Sequence, residues 1–105
     1  MIILGKITYI SHPTIIKRQE SNYKMLEFVI EEPMNNDSCK FDLYNKINFF
    51  MENIKIGDEV LIDFYIKAHK NPHGRYYNNL IVNKVFKLNN PYNYNFSKVV
   101  NKLIS

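Results

Sequence analysis

Residues 56–88, IGDEVLIDFYIKAHKNPHGRYYNNLIVNKVFKL, decide how this chain reads. β-Branched and aromatic residues fill both arms, and Pro72 and Gly74 punctuate the middle, so the segment predicts two long strands joined by a loop. In the first arm Val60, Ile62, Phe64 and Ile66 share one face, while Asp63, Tyr65 and Lys67 share the other. In the second arm Leu80 and Val82 have one phase and Val85 the opposite one. That switch, around Asn83-Lys84, predicts a β-bulge. Lys67, Lys70 and Arg75 stand beside Tyr65, Tyr76 and Tyr77 where the arms meet. Cations next to flat aromatic faces suit a single-stranded nucleic acid, which offers phosphates to the first and bases to the second. Adjacency along a strand places one of Tyr76 and Tyr77 inward.

Upstream, strand signals dominate. Ile2–Ile10 is rich in β-branched residues and stops at Ser11-His12-Pro13. A polar, basic stretch, Lys17 to Asn22, reads as the loop between the first and second strands. Tyr23–Ile30 then alternates with Leu26, Phe28 and Ile30 on one face. Glu31–Ser38, with Pro33 and Asn35-Asn36-Asp37, reads as a loop. Cys39–Tyr44 alternates again, with Cys39, Phe41 and Leu43 inward and Lys40, Asp42 and Tyr44 outward. Asn45–Ile54 changes period. Ile47, Phe50, Met51 and Ile54 recur at three- and four-residue spacing, which predicts a short amphipathic helix with Asn45 as N-cap. Gly57 then supplies a left-handed residue before a strand launched at Asp58.

At 105 residues and 46% hydrophobic content, the chain suits a single domain with a genuine core. One cysteine excludes an internal disulfide framework and fits a reducing, intracellular (cytoplasmic) setting. No apolar run reaches membrane-spanning length. The start of the chain lacks the pattern of a signal peptide. Charge is unevenly divided. Residues 1–63 hold seven Lys/Arg and all ten Asp/Glu, whereas residues 64–105 hold seven Lys/Arg and no acid. Such a split can build a basic face. Abundant Asn, Lys and Ile also fit a biased base composition in the coding DNA, which raises lysine without a functional reason.

Three strands, a short helix and two longer strands give an all-β class with a minor helix. That order is the five-stranded OB-fold Greek-key barrel, which commonly binds oligonucleotides. A small SH3-like barrel competes, but it does not require the helix between the third and fourth strands. The barrel occupies residues 1–88. A tail, residues 89–105, follows, in which Phe96, Val99, Val100, Leu103 and Ile104 form a helical stripe. This C-terminal helix either packs on its own barrel or docks on a partner or second subunit.

KMLEFVIEEP (24–33), IGDEVLIDFYIKA (56–68) and GRYYNNLIVNKV (74–85) resemble small bacterial OB-fold proteins of unassigned role described as single-stranded-DNA-binding-like. More distantly they resemble bacterial single-stranded DNA-binding protein and primosomal replication protein. The resemblance covers most of residues 2–88. It implies a strand of the GDEV type before a protruding loop that clasps nucleic acid. Two departures stand out. The chain ends in Leu-Ile-Ser rather than an acidic recruiting tip, and tryptophan, a frequent stacking residue in those families, is absent.

No catalytic constellation emerges, so no enzyme activity and no cofactor are expected. His69 and His73 are four apart in a Pro-containing loop, and Cys39 is distant, so no zinc set is defined. Both histidines read as loop residues. Glu31-Glu32 and Asp37 read as a solvated acidic rim, and three glycines supply no phosphate loop. The expected site is a binding groove bordered by two loops. Lys17, Arg18 and Lys24 flank the first, and Lys67, Lys70 and Arg75 the second. Lys40 and Tyr44 lie on the floor, and Tyr65, Tyr76 and Tyr77 serve as stacking platforms. The expected ligand is single-stranded DNA or RNA, with DNA favoured. The competing reading is a structural or adaptor subunit that assembles through strand edges and the Phe96–Ile104 stripe.

Overall fold

The computed structural model describes residues 1–88. The expected tail, its helix and the partner-binding role of Phe96, Val99, Val100, Leu103 and Ile104 lie outside the described residues. Seven elements follow in order: β1 (Ile2–Ile10), β2 (Thr14–Arg18), β3 (Ser21–Glu31), β4 (Ser38–Leu43), α1 (Ile47–Asn53), β5 (Glu59–Lys70) and β6 (Tyr76–Leu88). The chain is therefore mostly β with one short helix among the described residues, as expected. No described helix is long and apolar enough to cross a membrane.

One strand was not foreseen. Residues 14–18 are β2, an arm of a hairpin in which Ile16 pairs with Tyr23 and Lys17 with Asn22. The sheet has six strands rather than five. Thr14-Ile15-Ile16 supply the β-branched residues such an arm needs. The polar residues around the turn make the segment look like loop, because both faces of the hairpin are wet.

The strands run in the order β1-β5-β6-β4-β3-β2, and β1 also pairs with β3. That last pairing returns the sheet on itself. Residues 2–6 of β1 pair antiparallel with β5, and residues 6–10 pair antiparallel with β3. Between Ile7 and Tyr9 the register slips, which bends the strand from one partner to the other. Gly5 sits where the two partners converge. A Cβ there would lie 2.7 Å from Cδ1 of Ile30 and 3.0 Å from the carbonyl oxygen of Glu31. The first contact can move, but the second is backbone, so glycine is the residue that fits.

Inside the ring lie Ile7, Leu26, Phe28, Ile30, Phe41, Val60 and Ile62, all buried. Phe28 stacks on Phe41 and Phe50 with centroids 5.6 and 4.8 Å apart, and Phe41 meets Phe64 edge to face at 5.1 Å. The alternation expected for residues 26–30 and 39–43 is what buries these rings. Helix α1 adds Ile47 and Phe50 to the same core, followed by Ile54, while Met51 stays exposed. Seven residues form a stable helix only through such packing. Its N-cap is Lys46 in a left-handed conformation (φ 55°) with no side-chain cap, not Asn45. Gly57 has the expected positive φ of 97°. It sits in the turn that the Asp58 N–H closes by donating to the Lys55 carbonyl, and β5 starts at Glu59.

The expected bulge is present. Asp63 pairs with Lys84 but Phe64 with Val82, which leaves Asn83 as the extra residue. Ile66 departs from expectation. It is 49% exposed, because β5 runs on past the ring and its last turns of pleat have no core beneath them.

Among the described residues one polar side chain is buried. Asp42 is 4% exposed, and its Oδ1 has no hydrogen-bond partner. The Lys40 ammonium stands 4.0 Å from that oxygen and 3.5 Å from Glu27 Oε1. Burial pushes the Asp42 carboxyl above its ordinary range; Lys40 pulls it partly back, and Glu27 adds to the rise. An acid whose pKa is higher folded than unfolded binds more protons in the folded state. Stability is therefore lost as pH rises from the unfolded pKa through the folded one, and the ionised carboxylate is a cost at neutral pH.

Two outcomes follow for stability. Gly5→Ala should destabilise the protein by about 2 kcal/mol in urea unfolding, the range of overpacked cores; an unchanged midpoint would show that β1 and β3 can separate freely. Asp42→Asn should raise the melting temperature at neutral pH and narrow the gain that the parent protein shows on acidification from neutrality towards the unfolded carboxyl pKa. Identical pH profiles for parent and variant would contradict the assignment to Asp42.

Candidate functional site

Because β5 and β6 outrun the ring, they form a two-stranded ribbon in which Lys67 pairs with Asn79, His69 with Tyr77 and Lys70 with Tyr76. The β2–β3 hairpin rises elsewhere on the sheet. Between the two hairpins lies an open groove of about 870 Å³. Ile16, Asn22, Tyr23 and Lys24 line one wall, and Tyr65, Lys67, His69 and Asn79 the other. Tyr44, Asn45, Ile81, Val82 and Asn83 complete the lining.

Strand period explains this set. Tyr65, Lys67 and His69 are alternate residues of β5, and Asn79 and Ile81 are alternate residues of β6. Asn83, the bulged residue, falls beside them and adds an amide. Tyr44 directly follows β4 and keeps the phase of exposed Lys40; Asp42 shares that phase but, contrary to the expectation that it faces outward, is buried. Lys24 donates from Nζ to Asn48 Oδ1 at 3.5 Å, a contact long enough to yield to a phosphate. Among the described residues no carboxylate lines the groove.

Of the residues singled out from sequence, Lys24, Tyr44, Tyr65 and Lys67 come together here. Others do not. Lys17 is exposed on β2 outside the lining, whereas Arg18 pairs with Ser21 by its backbone and its side chain lies outside what the structure describes. Lys40 shares a face with Tyr44 but is held by Glu27 and Asp42, so its charge is already matched. Lys70, Arg75, Tyr76 and Tyr77 lie on the ribbon beyond the groove lining. The expectation that one of Tyr76 and Tyr77 turns inward fails. They are 71% and 49% exposed, since the ribbon has no inside.

Tyr23 and His69 are additions. Tyr23 could have been found from its phase opposite Leu26 and Phe28. His69 is not a loop residue but the next position of β5 in phase with Tyr65 and Lys67, and that alternation was a readable signal. Asn22, Asn45, Asn79 and Asn83 carried no signal beyond their polarity.

The ribbon tip is tied together by Asn71. Its Oδ1 accepts from the N–H groups of His73 (3.0 Å) and Arg75 (2.9 Å), and its Nδ2 donates to Tyr77 Oη at 3.2 Å. The Asn71 N–H donates to the Arg75 carbonyl at 2.8 Å. A tip so cross-linked holds its side chains in place before any ligand arrives. Among the described residues no cluster of three or more His, Cys, Asp or Glu could hold a metal ion.

No protein-family model matches this chain, and no curated protein sequence matches it. Solved structures do. The mitochondrial single-stranded DNA-binding protein Rim1 of S. cerevisiae superposes with a TM-score of 0.67 at 22% identity, over 86% of this chain and 95% of that one. The second OB-fold domain of replication protein A from Methanococcus maripaludis superposes with a TM-score of 0.61 at 14% identity, over 85% and 83%. At such identities the likeness concerns the fold, and the fold it shows is that of OB-fold proteins.

Proposed function

We propose that this protein binds single-stranded nucleic acid without catalysing a reaction, DNA in preference to RNA, and with little base preference. The observation that carries this reading is the groove between the two hairpins. Its lining combines three tyrosines with two lysines and a histidine, and no acid among the described residues opposes a phosphate there. Each base stacked on a ring contributes ~1–3 kcal/mol, whereas a screened surface charge contributes far less. Tyr23, Tyr44 and Tyr65 therefore supply most of the affinity, and Lys24 and Lys67 supply salt dependence. The proteins of like fold are, by name, single-stranded DNA-binding or replication proteins, which favours DNA. Side-chain amides of Asn22, Asn45, Asn79 and Asn83 both donate and accept, so they accommodate any base edge.

Fluorescence anisotropy with labelled oligo-dT and a matched duplex, each at two salt concentrations, tests this. The single strand should bind more tightly, with affinity falling as salt rises. Tyr65→Ala and Lys67→Glu should each weaken binding about tenfold, whereas Lys40→Ala should leave it within about twofold, since that ammonium is already paired. Preference for the duplex, or no binding at low salt, would refute the proposal.

A further inference from the structure

The ribbon has two faces, and the groove uses one. Strand alternation puts Tyr65, Lys67, His69, Tyr77 and Asn79 on the groove side. The opposite side carries Ile66, Ala68, Lys70, Tyr76, Asn78 and Leu80. Side-chain contacts agree with this division. His69 and Tyr77 meet with ring centroids 6.4 Å apart on the first face, and the Lys70 ammonium lies 5.7 Å over the Tyr76 ring on the second. Each face therefore bears a basic side chain beside its own aromatic ring. The back-face ring is the most exposed tyrosine among the described residues, at 71%. On the same face, nearer the closed ring of strands, Ile66 is half exposed opposite its cross-strand partner Leu80.

We propose that the back face of the ribbon is a second binding track, and that a strand leaving the groove turns round the tip onto it. This rests on the reading of the groove given above and sets the length of strand that the protein engages. Three features favour a nucleic acid as occupant. No acid occurs from residue 64 onward, so the way from Lys67 and His69 past Arg75 at the tip to Lys70 is unopposed. The ribbon is only two backbones wide, so a flexible strand crosses from one face to the other within a few nucleotides. The Asn71 cross-links keep the tip in shape, so little ordering is needed when the strand turns. On the back face the Tyr76 ring receives a base, Lys70 moves from the ring to a phosphate, and Ile66 and Leu80 contact sugar and base edges.

The test is a length series of labelled oligo-dT, from about 5 to about 30 nucleotides, spanning the site sizes of single OB-folds and beyond. It compares the full chain with Lys70→Glu/Tyr76→Ala and with Tyr65→Ala/Lys67→Glu. The back-face variant should bind the shortest oligonucleotides like the parent but lose about tenfold on the longest. The groove variant should lose affinity at every length. Asn78→Lys, which adds charge to the back face without removing anything, should tighten binding of long strands only and steepen their salt dependence. Equal losses at all lengths, or no change at any length, for the back-face variant would overturn the second track while leaving the groove intact. A concentration-dependent increase in mass without oligonucleotide that Tyr76→Ala abolishes would assign this face to a second copy of the chain instead. Failure of the parent to bind oligo-dT at any length would refute the groove, and this inference with it.

Discussion

The close approach of β1 to β3 at Gly5 is the constraint on which the rest depends. One strand must serve two partners, β5 along its first half and β3 along its second, and the backbones converge where a side chain would strike the Glu31 carbonyl. With the sheet returned on itself, Phe28, Phe41 and Phe64 face a common interior, where Phe50 from α1 stacks on Phe28. Closure also fixes how much of each strand the core can support. What is left over, the β2–β3 hairpin and the distal half of β5–β6, has to stand in solvent, and the groove is the space between these two projections.

The electrostatics of the face follow from the same pairings. Cross-strand register sets Glu27 beside Asp42, and alternation sets Lys40 beside both, so this cation is matched by acids away from the groove lining. Asp42 carries an energetic cost there, being buried with an unpaired oxygen. The groove itself is left with Lys24, Lys67, His69 and rings. The acidic excess of the first 63 residues is thereby compatible with a cationic groove, because acids such as Glu31, Glu32, Asp37, Asp58 and Glu59 occupy other parts of the molecule.

Much of the fold was legible in period alone. Leu26-Phe28-Ile30 and Cys39-Phe41-Leu43 announced strands with one buried face, Ile47-Phe50-Ile54 announced the helix, and the phase switch announced Asn83. What period could not carry was length relative to the core. Nothing local distinguishes Ile62, which is buried, from Ile66, which is not, because the difference lies in where the ring ends. Tyr76 and Tyr77 were misjudged for the same reason. β2 was missed because a wet hairpin has no apolar face to advertise it. Lys40 was misplaced because its partners come from register, which adjacent residues do not reveal. Tyr44, Tyr65 and Lys67 fall in the groove lining because outward phase and chemistry coincided, and Lys24 because it flanks the basic stretch 17–22. Tyr23 and His69 had the same credentials and were passed over.

Backbone amide chemical-shift mapping of the full chain during titration with oligo-dT tests the central claim most directly. The account predicts that perturbations concentrate at Tyr23, Lys24, Tyr44, Asn45, Lys67, His69, Asn79 and Asn83, on both walls of one groove. Perturbations concentrated instead around the outer apolar cluster of Leu4, Leu61, Phe86 and Leu88, or none at a saturating excess of oligonucleotide, would contradict it.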